Sequence, residues 1–126
     1  MSISTNEFSV NGKTYKPAAK PIVVICIDGS ADEYLDITMA HDRMPNLKAM
    51  TLRGYRGMVR GALPSFTNVN NSSIVTGASP AVHGISGNFF YNAAIDQEVM
   101  MNSAEYLRAE TLLAAAANAG RNVAVV

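Results

Sequence analysis

Two side chains in this sequence sit where they could do chemistry on an anion, Thr67 and Asp28. Thr67 lies in the stretch 63–88, LPSFTNVNNSSIVTGASPAVHGISGN, which is crowded with Gly, Pro and small polar residues yet encloses a short predicted helix ending at Thr76-Gly77. It falls where extended chain hands over to that helix. A hydroxyl there sits among unpaired backbone N–H groups at the positive end of the helix dipole, and both favour an anion. The same field would stabilise an alkoxide, or a phosphoryl group bonded to it. The plainer alternative is an N-cap, a common use of Thr. Asp28 follows an apolar run and precedes Gly29, so by itself it is a turn or cap residue. If the strands leading to Asp28 and Thr67 are neighbours, carboxylate and hydroxyl converge on one cation. Zinc accepts a carboxylate oxygen and lowers the pKa of a bound hydroxyl, which would make the threonine a competent nucleophile.

The elements that must position these groups form an α/β pattern. FSVNGKTY at 8–15 alternates around Asn-Gly, the strongest short hairpin signal. After a linker, IVVICI at 22–27 is a continuous β-branched run, as expected for a strand covered on both faces of a parallel sheet. Ligands collect at the carboxyl ends of such strands. Residues 32–43 are predicted as loop with some helix, and MPNLKAM starts a helix with Pro45 in its first turn and Gly54 after its end. Residues 55–62 are predicted as a second strand, 89–101 as two short strands joined by a turn, and 110–120 as an Ala-rich helix closed by Gly120. RNVAVV at 121–126 opens another buried strand. A strand–helix–strand series that stops on an apolar run leaves a sheet unfinished, so the sequence predicts the N-terminal portion of a larger protein. Two segments follow: 1–19 as hairpin and linker, and 20–126 as the first part of an α/β catalytic domain.

Composition narrows the class. With 126 residues, 48% hydrophobic and 16% charged, the chain is globular material. The formal net charge is zero and the cations are scattered, which argues against nucleic acid or an anionic membrane as partner. Cys26 is the only cysteine, which excludes an intrachain disulfide and suits a reducing cytoplasm. The first 20 residues hold no signal-peptide core, and no run reaches the roughly 20 apolar residues of a membrane helix. A cytoplasmic location is expected. Cys26 should be buried and inert, the methionines Met44, Met50, Met58, Met100 and Met101 core filler, and His41 solvent-facing. Asp32, Glu33 and Asp36 form an acidic cluster with no shared face expected.

Asp28 after its strand, followed by PSFTNVNNSSIVTGASPAVHGISGN, resembles the alkaline phosphatase superfamily, in particular its type I phosphodiesterase/nucleotide pyrophosphatase group. That pattern, a Thr, then Asn, SIVTG, Pro, His-Gly-Ile and a later Asn, falls here on Thr67, Asn70, residues 73–77, Pro80, residues 83–85 and Asn88. ICIDGSADEYLD and RMPNL are most similar to the phosphonate-cleaving branch. The resemblance covers most of residues 20–126.

It implies a three-layer sandwich with a mostly parallel central sheet, incomplete in this chain and preceded by the hairpin. It implies an enzyme with two zinc ions in its intact site, one of them held by Asp28 and Thr67. Thr67 would attack phosphorus to form a phospho-threonine, and Asn88 would donate a hydrogen bond to a phosphoryl oxygen; an αL loop residue is the alternative for Asn88. His83 would be structural. The implied reaction is hydrolysis of the C–P bond of phosphonoacetate to acetate and phosphate, with a possible homodimer as the assembly. Asn68-Val69 stands where the diesterase pattern has Phe-Pro, which suits the phosphonate branch. Further Asp and His ligands, and substrate-gripping lysines, would lie beyond Val126, so these residues alone should be inactive. Two other readings stay open: a phosphodiesterase or nucleotide pyrophosphatase with the same half-site, and a non-catalytic module that binds an anion at the Thr67 helix.

Overall fold

The computed structural model describes residues 7–126; the first six residues of the predicted 1–19 segment lie outside the described residues. The chain divides into two units, Val23–Arg60 on one hand and Met1–Ile22 with Gly61–Val126 on the other.

In the larger unit, strands β1 (Phe8–Val10) and β2 (Lys13–Tyr15) pair antiparallel as predicted. Asn11 and Gly12 both have positive φ, 49° and 75°, as a type I′ turn demands. The tip of this hairpin grips helix α3 (Thr67–Thr76) at its C-terminal end. Asn11 Nδ2 donates to Thr76 O and to Glu110 O, each at 2.8 Å, and Lys13 Nζ donates to Gly77 O. A cation and an amide therefore occupy the negative end of the helix, satisfying carbonyls that the helix cannot use itself. Gly77 caps α3 in the left-handed conformation, and a Cβ there would stand 2.6 Å from the Tyr15 hydroxyl.

Helix α4 (Pro80–His83) turns the chain back, and β3 (Phe89–Asn92) and β4 (Gln97–Met100) form the second hairpin, with Phe89 opposite Met100. A 3-10 turn at Ala104–Tyr106 leads on to α5 (Leu112–Asn118). That helix begins two residues later than predicted because Thr111 caps it, its hydroxyl accepting from Ala114 N–H at 3.0 Å. The buried core of this unit is Val10, Val69, Ile85, Met101 and Ala115, together with two fully buried polar residues, Thr76 and His83.

The Val23–Arg60 unit is a helical hairpin of α1 (Asp32–Ala40) and α2 (Pro45–Arg53). Pro45 takes the first-turn position. The expectation that the acidic cluster shares no face is corrected. Asp32 and Asp36, one helical turn apart, both clasp Arg56, with Asp36 Oδ1 at 2.6 Å from Nη1. The two carboxylates push the guanidinium pKa up.

The parallel strands expected at 22–27, 55–62 and 121–126 are not formed. Among the described residues the ladders are the two hairpins, and these three segments carry no regular structure. A parallel strand needs hydrogen-bonded neighbours and helices over both faces, and these runs lack that cover: Val23 is 81% exposed and Val59 91%. Cys26 is accordingly exposed, not buried. Of the five methionines taken as core, only Met101 is buried, while Met50 and Met58 are 63% and 81% exposed.

The hairpin-to-helix clamp sets a measurable expectation. Asn11→Gly keeps the positive φ but removes both hydrogen bonds, and should lower the free energy of unfolding by about 1–2 kcal/mol. Asn11→Ala should cost more, because it adds left-handed strain. Urea titrations of the two variants measure the difference.

Candidate active site

Helix α3 starts with Phe66 at the N-cap and Thr67 as its first helical residue, and no side chain caps it. Thr67 is thus not the N-cap of the simpler sequence reading. It is solvent-exposed, at the end of the helix where N–H groups have no intrahelical partner.

The poor helix formers of α3 turn out to be its tethers. Asn70 Oδ1 accepts from Ala62 N–H at 2.8 Å, and its Nδ2 donates to Phe66 O at 3.1 Å and to Ser65 Oγ at 3.4 Å. One carboxamide so fixes the segment that delivers Thr67. Ser73 and Thr76 donate back to Val69 O and Ser72 O, at 2.9 and 2.6 Å, a pattern that lets hydroxyl residues sit inside a helix.

Asn88 is brought to the first turn of this helix. Its Oδ1 accepts from the backbone N–H of Asn68, the residue after Thr67, at 3.4 Å. The side-chain NH2 of Asn88 has no hydrogen-bond partner among the described residues. Asn68 in turn donates from Nδ2 to Met101 O at 3.0 Å, and Met101 N–H donates to Asn88 O at 2.7 Å. The outer face of the same helix, through Asn68, Asn71 and Ser72, lines an uncharged groove of about 320 Å³ with Met101, Asn102 and Ser103. Sequence reasoning missed the tethering roles of Asn68 and Asn70; the density of Asn in a segment that must be helical was the available signal.

His83 is fully buried behind the helix. Its Nδ1 accepts from Ile85 N–H at 3.1 Å, so the ring hydrogen belongs on Nε2, which lies 2.9 Å from Ser73 Oγ. Ser73 passes its own hydrogen to Val69 O. This is the structural histidine expected from sequence. His41 is exposed, also as expected.

Asp28 belongs to the Val23–Arg60 unit, exposed at the turn it makes with Gly29. Among the described residues no three His, Cys, Asp or Glu side chains come together in a way that could hold a metal ion. Asp28 and Thr67 carry oxygen donors of kinds zinc accepts, but a closed zinc site takes about four ligands. Each supplies one donor where several are needed. No helix among the described residues is long and apolar enough to cross a membrane.

Comparison with known proteins extends this picture. Residues 22–126 match the family described as type I phosphodiesterase / nucleotide pyrophosphatase. A venom phosphodiesterase of Naja atra is 31% identical over 83 residues, 65% of this chain and 10% of that protein. The crystal structure of phosphonoacetate hydrolase from Sinorhizobium meliloti 1021 in complex with phosphonoacetate superposes with a TM-score of 0.80 and 42% identity. It covers 94% of this chain and 29% of that one. The same enzyme in complex with phosphonoformate gives 0.80 and 43%. The chain therefore spans less than a third of the length of each of these relatives.

Burial holds the His83 pKa below its ordinary 6.5. The unfolded chain then takes up the proton first, so the stability that neutral His83 contributes is complete above pH 6.5 and drains away as the pH falls toward the lowered folded value. Melting temperatures from pH 8 down to about pH 5 should drop more steeply for the native chain than for His83→Gln, whose side chain does not titrate in that range.

Proposed function

This chain belongs to the type I phosphodiesterase/nucleotide pyrophosphatase family, and from that premise we propose that it is part of a hydrolase that cleaves the C–P bond of phosphonoacetate. The observation that carries the reading is the likeness of nearly the whole chain to phosphonoacetate hydrolase. The runs at 22–27, 55–62 and 121–126 would be strands of a three-layer sandwich in the intact enzyme, which would work in the cytoplasm.

Thr67 is the nucleophile of this proposal. Its hydroxyl gives up its proton to water and Oγ attacks phosphorus in line with the C–P bond, forming the O–P bond of a phospho-threonine as the C–P bond breaks. The bonding pair leaves on carbon, where the adjacent carboxylate delocalises it as an enolate until water supplies the proton that completes acetate. Charge gathers on the phosphoryl oxygens in the transition state. The open NH2 of Asn88 donates to one of them, and the first-turn N–H groups of α3 add their field. Water then attacks phosphorus, and Thr67 leaves with phosphate free. Asp28 and Thr67 would hold one of two zinc ions, with the remaining ligands supplied by residues outside those described. Zinc, when bound, supplies the positive charge that lowers the pKa of the Thr67 hydroxyl.

The family description and the venom enzyme favour a second reading, a phosphodiester as substrate in the same half-site. Supplying the intact enzyme with phosphonoacetate and with a nitrophenyl phosphodiester separates the two. Phosphate from phosphonoacetate is expected; turnover of the diester alone rejects it. In the same assay Thr67→Ala should lower kcat by roughly 10⁴-fold or more with folding preserved, and Asn88→Ala by roughly 10²-fold. An undiminished rate in Thr67→Ala would leave only an anion-binding module.

A further inference from the structure

Three hydrogen bonds close a ring beside Thr67. Asn68 N–H donates to Asn88 Oδ1 at 3.4 Å, Asn68 Nδ2 to Met101 O at 3.0 Å, and Met101 N–H to Asn88 O at 2.7 Å. We propose that Asn68 is a positioning residue for Asn88, its side chain tying the turn after β4 at Met101 to the second residue of α3 so that the Asn88 NH2 stands at a fixed place beside Thr67. The proposal rests on the reading of Thr67 and Asn88 given above.

The physical argument runs through the residues that the ring joins. Asn88 lies in a turn-rich loop, after His-Gly-Ile-Ser-Gly, and is only half buried; its own side chain makes one long contact with the helix. A single 3.4 Å bond is weak in an exposed setting and does not orient a donor. What holds the loop is the backbone bond from Met101, and Met101 is one of the few buried apolar residues of the unit. Its carbonyl is in turn anchored to α3 by the Asn68 side chain. Remove that carboxamide and Met101 keeps Asn88 but loses its register against the helix that carries Thr67. The residue type matters. Phe at this position, as in the diesterase pattern, has no donor for Met101 O and could not close this ring.

A double-mutant cycle on the intact enzyme, with amide hydrogen exchange alongside, tests the idea. Asn68→Ala should lower kcat for phosphonoacetate roughly tenfold with KM little changed, a smaller loss than that of Asn88→Ala. In the double variant the two losses should not multiply, because Asn68 acts only through Asn88. Exchange at the amides of residue 68 and Met101 should speed up in Asn68→Ala. Asn68→Asp keeps the shape and suits the first helical turn, so it guards against a variant that fails to fold, and it should show the same faster exchange. Losses that multiply in the double variant, or unchanged exchange at both amides, overturn the tether. An enzyme that turns over neither substrate rejects the reaction instead, and exchange alone then decides the tether.

Discussion

Helix α3 cannot hold itself. Ten residues of mostly Asn, Ser, Thr and β-branched types form a helix shorter and poorer than any that is stable alone in water. It is formed because its neighbours fasten it at three levels. The first hairpin takes its carbonyl end through Asn11 and Lys13, Ser73 and His83 anchor its middle, and Asn70, Asn88 and Met101 fix its amino end. Each fastening uses a polar side chain that a stronger helix would not need. The arrangement suits a site that must present a hydroxyl at the positive end of a helix to a charged substrate, because the tethers reach the helix from behind and from its ends and leave Thr67 at the surface.

The choice of polar residues for the core follows from the same constraint. His83 and Thr76 are completely buried, yet each satisfies its hydrogen bonds. Buried polar groups so paired fix orientation, where an aliphatic core would fix only distance. Arg108 completes the packing: its N–H reaches His83 O at 3.0 Å, and its side chain lies over Gly84, where an added Cβ would come within 2.8 Å of Arg108 Cδ.

What the sequence revealed and what it hid divide by the range of the interaction. Asn11-Gly12, Pro45 and the Ala-rich run closed by Gly120 are signals a few residues wide, and the elements that they predict are present. The motif around Thr67 gave the family because its spacing is dense and unbroken. The runs 22–27, 55–62 and 121–126 were taken as strands from their composition, but a strand exists only through partners beside it and cover above it, and composition supplies neither. The tethers were hidden for a related reason. Asn68 meets Met101 across 33 positions and Asp32 meets Arg56 across 24, and although the density of Asn in a helical segment was a signal, nothing local names the partner that each amide ties. The shared side of Asp32 and Asp36 was legible, since a separation of four on a helix places two side chains together, but reading residues 32–43 as loop with some helix conceals it.

The bare segment at 22–27 has a further consequence. Ile-Val-Val-Ile-Cys-Ile is six residues without charge, proline or glycine, and its Ile22, Val23, Val24, Ile25 and Ile27 side chains are 69–81% exposed. Such a hexapeptide is a template for cross-β stacking, in which copies from separate molecules zip together dry side to dry side. Lys20 and Pro21 before it and Asp28 just after it are gatekeepers of the kind that natural sequences set beside such strands. Cover over this run would therefore also keep the molecule from polymerising, and without it the restraint is left to these flanking residues.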